Sequence, residues 1–130
     1  MDAQKRILIV TDESKTVLSV ALAITKELPD CKMVLCSGES FAGTDLLPAE
    51  AFFIGCEKPH PASFAYLEDM LAHVNLAGRK CGVFSANEKA LKYLCDLVKD
   101  CEAEAGEPLL IQENAVIKPD LNKWLEKVLG

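Results

Sequence analysis

Three hydroxyls and two carboxylates crowd into six residues near the start of the chain: Thr11, Asp12, Glu13, Ser14, Lys15 and Thr16. Ile7-Leu-Ile-Val10 precedes them and reads as a buried strand, and a helical pattern follows with Val17, Ala21, Ile24 and Leu28 on one face. A turn from a buried strand into a helix aims backbone N–H groups that lack intrahelical partners above the sheet, where the helix dipole favours an anion. A phosphate group suits such a turn, with Thr11, Ser14 and Thr16 as further donors. Asp12 and Glu13 work against it, because like charges a few ångströms apart repel by about 1 kcal/mol in water and several times that when partly buried. Lys15 offsets part of this. The same residues have a second reading, in which Asp12, Glu13 and Ser14 cap the helix, since carboxylates are favourable in a first turn.

Two other segments carry chemistry-capable side chains just past an apolar run. Gly55, Cys56, Glu57, Lys58, Pro59 and His60 follow Ala51-Phe-Phe-Ile, and Ser85, Ala86, Asn87 and Glu88 follow Lys80-Cys-Gly-Val-Phe. Cys56 with His60 makes an activated thiol if the loop folds back, because a nearby imidazole stabilises the thiolate; a loop histidine between two prolines also reads simply as exposed. His73 falls on the boundary or surface side of a helix. Ser85 and Glu88 have the spacing of a capping box, in which each satisfies one orphan N–H. No Ser/His/Asp arrangement is legible. The six cysteines contain no Cys-x-x-Cys pair and share no ligand spacing with the two histidines, so they read as small buried hydrophobes, and no metal site is expected.

The frame that must position these residues is small. The 130 residues suit one domain with a single sizeable core, and half of them are apolar. The apolar runs are too short to span a bilayer, and the leading Met1-Asp-Ala-Gln-Lys-Arg leaves no room for a signal peptide, so no membrane association and a cytoplasmic location are expected. The net charge of −6 shows no basic stripe, which argues against nucleic acid and for a partner with a basic surface. The oligomeric state is not legible.

Strand and helix patterns alternate along the chain. Strands are expected over residues 6–10, 31–36, 51–55, 80–84 and 108–112, with a resumption of the last at Val116-Ile117. Helices are expected over residues 15–28 and 63–75 (Phe64, Leu67, Leu71 and Val74 inward) and from the capping box to about Ala105 (Leu91, Leu94, Cys95 and Val98 inward). A last helix starts near Pro119 and buries Leu121, Trp124, Leu125 and Val128. Residues 37–50, with Gly38, Gly43 and Pro48, read as a long loop holding at most a short turn. Such alternation implies an α/β domain of three layers, a five-stranded parallel sheet covered on both faces, with strand order 2-1-3-4-5. Ligands of such sheets bind outside the carboxyl ends of the strands at the switch point, where all three segments above converge.

Several segments resemble the flavodoxin family. These are Phe52-Phe-Ile-Gly-Cys56, then Phe64 and its helix, then Asn75-Leu-Ala-Gly-Arg-Lys-Cys-Gly-Val-Phe-Ser85, and the stretch from Leu110 to Pro119, which is similar to the family's broken fifth strand. The resemblance implies an electron carrier that binds FMN non-covalently, with phosphate at residues 11–16 and the ring between residues 55–60 and 85–87, and a redox partner protein. The family's phosphate pattern is Ser/Thr-x-Thr-Gly-x-Thr. Thr11 and Thr16 match it, while Glu13 replaces a hydroxyl and Ser14 a glycine. Against the ring this chain offers His60 and Phe64, and the position aligned with the stacking tyrosine holds Leu91, with Tyr93 nearby as a packing or surface residue of the helix.

Two alternatives accompany this reading. One is a flavin-free interaction module on the same fold. The other is a pseudo-receiver: Asp12-Glu13, Ser85-Ala86 and Lys118-Pro119 resemble the response-regulator receiver pattern, but Gly55 stands where the phosphoacceptor aspartate belongs.

Overall fold

The computed structural model describes residues 5–12, 14–46, 48–111 and 118–129. Its elements in order are β1 (Arg6–Thr11), α1 (Lys15–Glu27), β2 (Lys32–Ser37), the short α2 (Gly43–Leu46), β3 (Ala51–Gly55), a 3-10 turn (Ala62–Phe64) leading into α3 (Ala65–His73), β4 (Lys80–Ser85), α4 (Glu88–Lys99), β5 (Glu104–Ala105), β6 (Leu109–Leu110) and α5 (Lys118–Leu129). All strand pairs are parallel and run β2-β1-β3-β4-β5, with β6 also on β4. The expected order is therefore found. No helix among the described residues is long and apolar enough to cross a membrane.

Alternation along the strands divides the core in two, because successive side chains leave a strand on opposite faces. Leu8, Val10, Phe52, Ile54, Cys81 and Val83 pack under α3 and α4, while Ile7, Ile9, Phe53 and Phe84 pack under α1 and α5. The central strands β1 and β3 are almost wholly buried, as continuous apolar runs in a parallel sheet require. On the α1/α5 face Trp124 lies against Phe53 and Phe84, with ring centroids 5.4 and 6.1 Å away. Its indole N–H donates to the Glu107 carbonyl at 2.6 Å, which pins α5 to the last crossover. Gly82 makes room for this stack: a Cβ there would meet both Phe53 and Trp124.

Three expectations need correction. The helix foreseen up to Ala105 stops at Lys99. Glu102 turns the chain in the left-handed region at φ 63°, and Glu104–Ala105 then pairs with Lys80–Cys81. Helical periodicity misses this because apolar residues 98 and 101 continue a helical stripe past the turn. The fifth sheet position is consequently split, since β6 pairs separately with Phe84–Ser85, and the resumption expected at Val116-Ile117 lies outside the described residues. The capping box is replaced by a different cap. Asn87 is the N-cap of α4, its side chain accepting from the N–H groups of Lys89 at 2.8 Å and Ala90 at 3.3 Å. Ser85 remains in the strand, and its Oγ accepts from the Asn87 N–H at 3.0 Å.

Candidate functional site

The carboxyl ends of β1, β3 and β4 meet in register, Thr11 beside Gly55 and Gly55 beside Phe84, with Ser85 one step further. Thr11 and Ser85 are buried polar residues there. The Thr11 carbonyl accepts from Gly38, and the Ser85 carbonyl accepts from Ile111, so each end is stitched to a neighbouring crossover. The structure thus brings together the three segments singled out in the sequence, except Glu13, which lies outside the described residues.

Ser14 is the N-cap of α1, yet its side chain caps nothing. Its Oγ is buried and has no hydrogen-bond partner. A buried hydroxyl without a partner costs about 1–3 kcal/mol, so this one is a standing invitation to a ligand acceptor or donor. Lys15 is exposed and Thr16 half-buried beside it, and α1 has no acidic residue in its first turn. Asp12 instead spans the site. One carboxylate oxygen accepts from the Ser14 N–H at 3.1 Å, and the other accepts from the Glu57 N–H at 2.8 Å. The alternative capping role is therefore filled by Asp12 toward Ser14, and the same carboxylate ties the turn after β1 to the loop after β3.

The loop after β3 faces away from a thiolate role. Cys56 is buried, and burial followed by the Asp12 charge pushes its thiol up to about 12. That is the reverse of activation, so the activated thiol that Cys56 and His60 would make if the loop folded back is not supported. Glu57, Lys58, Pro59 and His60 are exposed. His60 has left-handed backbone at φ 51°, a region uncommon for residues other than glycine but one that histidine enters more readily than most. Tyr93 and Glu68 hold it: the rings are 4.4 Å apart, and Nδ1 lies 3.3 Å from the Glu68 carboxylate. The Tyr93 hydroxyl donates to the same carboxylate oxygen at 2.6 Å. Burial first, then this hydrogen bond to Glu68, raises the Tyr93 phenol above its usual range.

This three-residue contact was not foreseen. Tyr93 is indeed a packing residue of its helix, but its partnership with Glu68, 25 residues away, and with His60 crosses between elements, and no local spacing signals it. Leu91 is packed into the α3/α4 core, Ala86 packs against the α1/α5 core, and Asn87 caps α4. His73 is exposed, as anticipated. Gly55 has no room for a side chain, since a Cβ would run into the Phe84 ring. An aspartate phosphoacceptor cannot stand there without moving a fully buried aromatic, so a receiver-like role at this position excludes aspartyl phosphate.

The donor set fits a phosphate in one respect and opposes it in another. The orphaned Ser14 hydroxyl, the Thr16 hydroxyl and the first-turn N–H groups of a 13-residue helix all belong to one turn. The Asp12 carboxylate is the one described negative charge within it.

No family model matches the chain, and no curated protein sequence does. Solved structures do. A short-chain flavodoxin associated with a PDU bacterial microcompartment superposes with a TM-score of 0.81 at 17% identity, over 98% of this chain and 97% of that one. The flavodoxin of Streptococcus pneumonia TIGR4 gives 0.78 at 15% identity, over 95% and 97%. Oxidised flavodoxin 2 of Bacillus cereus gives 0.65 at 22% identity, over 95% of each chain. At these identities the likeness establishes the fold.

Proposed function

We propose that this chain, which has the flavodoxin fold, binds FMN at the turn after β1 and serves as an electron-carrying module for a partner with a basic surface. The observation that carries the reading is the buried Ser14 hydroxyl without a partner, placed at the N-terminus of α1 and at the switch point of the sheet. FMN, when bound, supplies the one-electron chemistry; the protein supplies position and electrostatics.

Ser14 and Thr16 donate hydroxyl hydrogen bonds to the phosphate, and the first-turn N–H groups of α1 add theirs along the dipole. Lys15 screens part of the charge. Asp12 holds the turns after β1 and β3 together through Ser14 and Glu57, and its charge lowers phosphate affinity. The segment 55–60 and residues Ser85, Ala86 and Asn87 flank the ring. With Leu91 in place of an aromatic, each stacked face lost forgoes about 1 kcal/mol, so the affinity falls below that of a site with an aromatic sandwich.

A flavin-free interaction module on the same fold is the second reading, favoured by the Asp12 carboxylate already occupying one backbone donor of the turn and one of the loop after β3. Fluorescence titration with FMN separates the two. Saturable quenching in the micromolar range supports the first reading. No binding at about 1 mM, where even weak complexes with ΔG near −4 kcal/mol form, leaves the second.

A further inference from the structure

The amino-terminal edge of the sheet, opposite the FMN turn, holds a second set of charges. Arg6 opens β1 and Lys32 opens β2, and they are register partners on parallel strands. Register partners project to the same face, so two cations stand side by side. Leu8 and Val34, two residues further on, share that face and belong to the α3/α4 core. The crossover through α2 folds over this corner, where the Ala49 N–H donates to Leu46 and the Glu50 N–H to Arg6. The Arg79 guanidinium fixes the same wall by donating to the Ala49 carbonyl at 2.6 Å.

A cavity of about 200 Å³ remains, lined on one side by Arg6, Lys32, Leu8 and Val34 and on the other by Thr44 and Asp45. Asp45 is half-buried. Among the described residues, Arg6, Lys32 and Asp45 make no ion pair and no side-chain hydrogen bond, with one another or with anything else. Glu50 donates its N–H to the Arg6 carbonyl, and its side chain does not line the cavity. Charges of both signs therefore line one cavity without forming an ion pair.

We infer that this cavity binds a small zwitterion, a free α-amino acid. Its carboxylate lies between Arg6 and Lys32, its ammonium group meets Asp45, and its side chain covers Leu8 and Val34. A simple anion answers the two cations but is repelled by Asp45, and a simple cation meets the converse, whereas a zwitterion satisfies both sides at once. The volume, roughly seven times the share of one water molecule, admits a small amino acid and excludes a nucleotide or a folded peptide. The inference is independent of FMN, because the cavity lies at the other end of the strands.

Amide NMR on the full chain tests it, titrating L-alanine against acetate and methylammonium at matched ionic strength. Alanine is expected to give saturable shifts at the amides of Arg6, Lys32 and Asp45, with acetate and methylammonium each about 10-fold weaker. Arg6→Gln and Asp45→Asn, both outside the closed core, are each expected to weaken alanine about 5-fold while the remaining spectrum is retained. Three results overturn the inference: no saturable shift with alanine up to about 50 mM, acetate binding as tightly as alanine and tighter still in Asp45→Asn, or neither substitution changing alanine binding.

Discussion

On the α1 side of the candidate site, Ser14 keeps a buried hydroxyl with no partner; on the α3/α4 side, His60, Glu68 and Tyr93 satisfy one another within 3.3 Å. Both walls rise from carboxyl ends of neighbouring strands, and one carboxylate, Asp12, reaches from the first to the second. The difference separates readiness to bind from self-sufficiency. Unpaired buried groups are costly in the free protein and regain that cost when a ligand arrives, while a closed network gains nothing from one. The phosphate side of this molecule is accordingly the open one, and the side that would meet a ring is already closed upon itself.

The largest effect is expected from breaking the closed wall. Tyr93→Ala removes a buried ring together with its contacts to His60 and Glu68 and should destabilise the fold by about 3 kcal/mol. Tyr93→Phe keeps the ring and should cost about 1 kcal/mol. Urea unfolding measures both, and a silent Tyr93→Phe would mean that the network contributes nothing beyond packing.

On the open wall, Asp12→Asn retains an acceptor for the loop N–H groups and removes the charge. FMN should then bind about 10-fold more tightly. Weaker binding would show that the Asp12 bridge shapes the turn more than its charge opposes the phosphate. Ser14→Ala should act in opposite directions on the two states. It should stabilise the free protein by about 1 kcal/mol, since an unsatisfied hydroxyl disappears, and weaken FMN several-fold. Loss of stability in the free protein would contradict the orphan assignment.

The last effect is confined to alkaline solution and concerns Cys56 between the walls. Its thiol titrates at about 12 in the folded chain against 9.0 in the ordinary state. The unfolded chain therefore releases its proton first, so the stability contribution is complete below pH 9 and is lost as pH rises toward 12. Urea midpoints should fall over that interval, and less steeply in Cys56→Ala. An equal slope in the variant would assign the loss to other groups, among them Cys36, whose thiol burial raises to about 11.

Much of the fold was legible because its signals are local. Ile7 to Val10 and Phe52 to Ile54 are continuous apolar runs of the kind a doubly covered parallel sheet requires, and strand order followed from the alternation with helices. Val17, Ala21 and Ile24, and likewise Leu121, Trp124, Leu125 and Val128, are buried as their spacing implied. What escaped depends on tertiary partners. The end of α4 is set by the pairing of Glu104–Ala105 with β4, and the Asn87 cap displaced the Ser85–Glu88 spacing because Ser85 was retained by the strand. In the site, the convergence of residues 11–12 and 14–16 with 55–60 and 85–87 followed from topology. The Asp12–Glu57 bond spans 45 residues, and the His60–Tyr93 stack depends on a left-handed turn, so neither leaves a periodic trace.

The most direct test of an open phosphate wall beside a closed ring wall is a parallel titration with FMN and with riboflavin, which shares the ring and lacks the phosphate. FMN binding at least about 10-fold tighter than riboflavin is the expected result, the preference falling in Ser14→Ala. Equal affinities for the two flavins, or binding of neither, would contradict it.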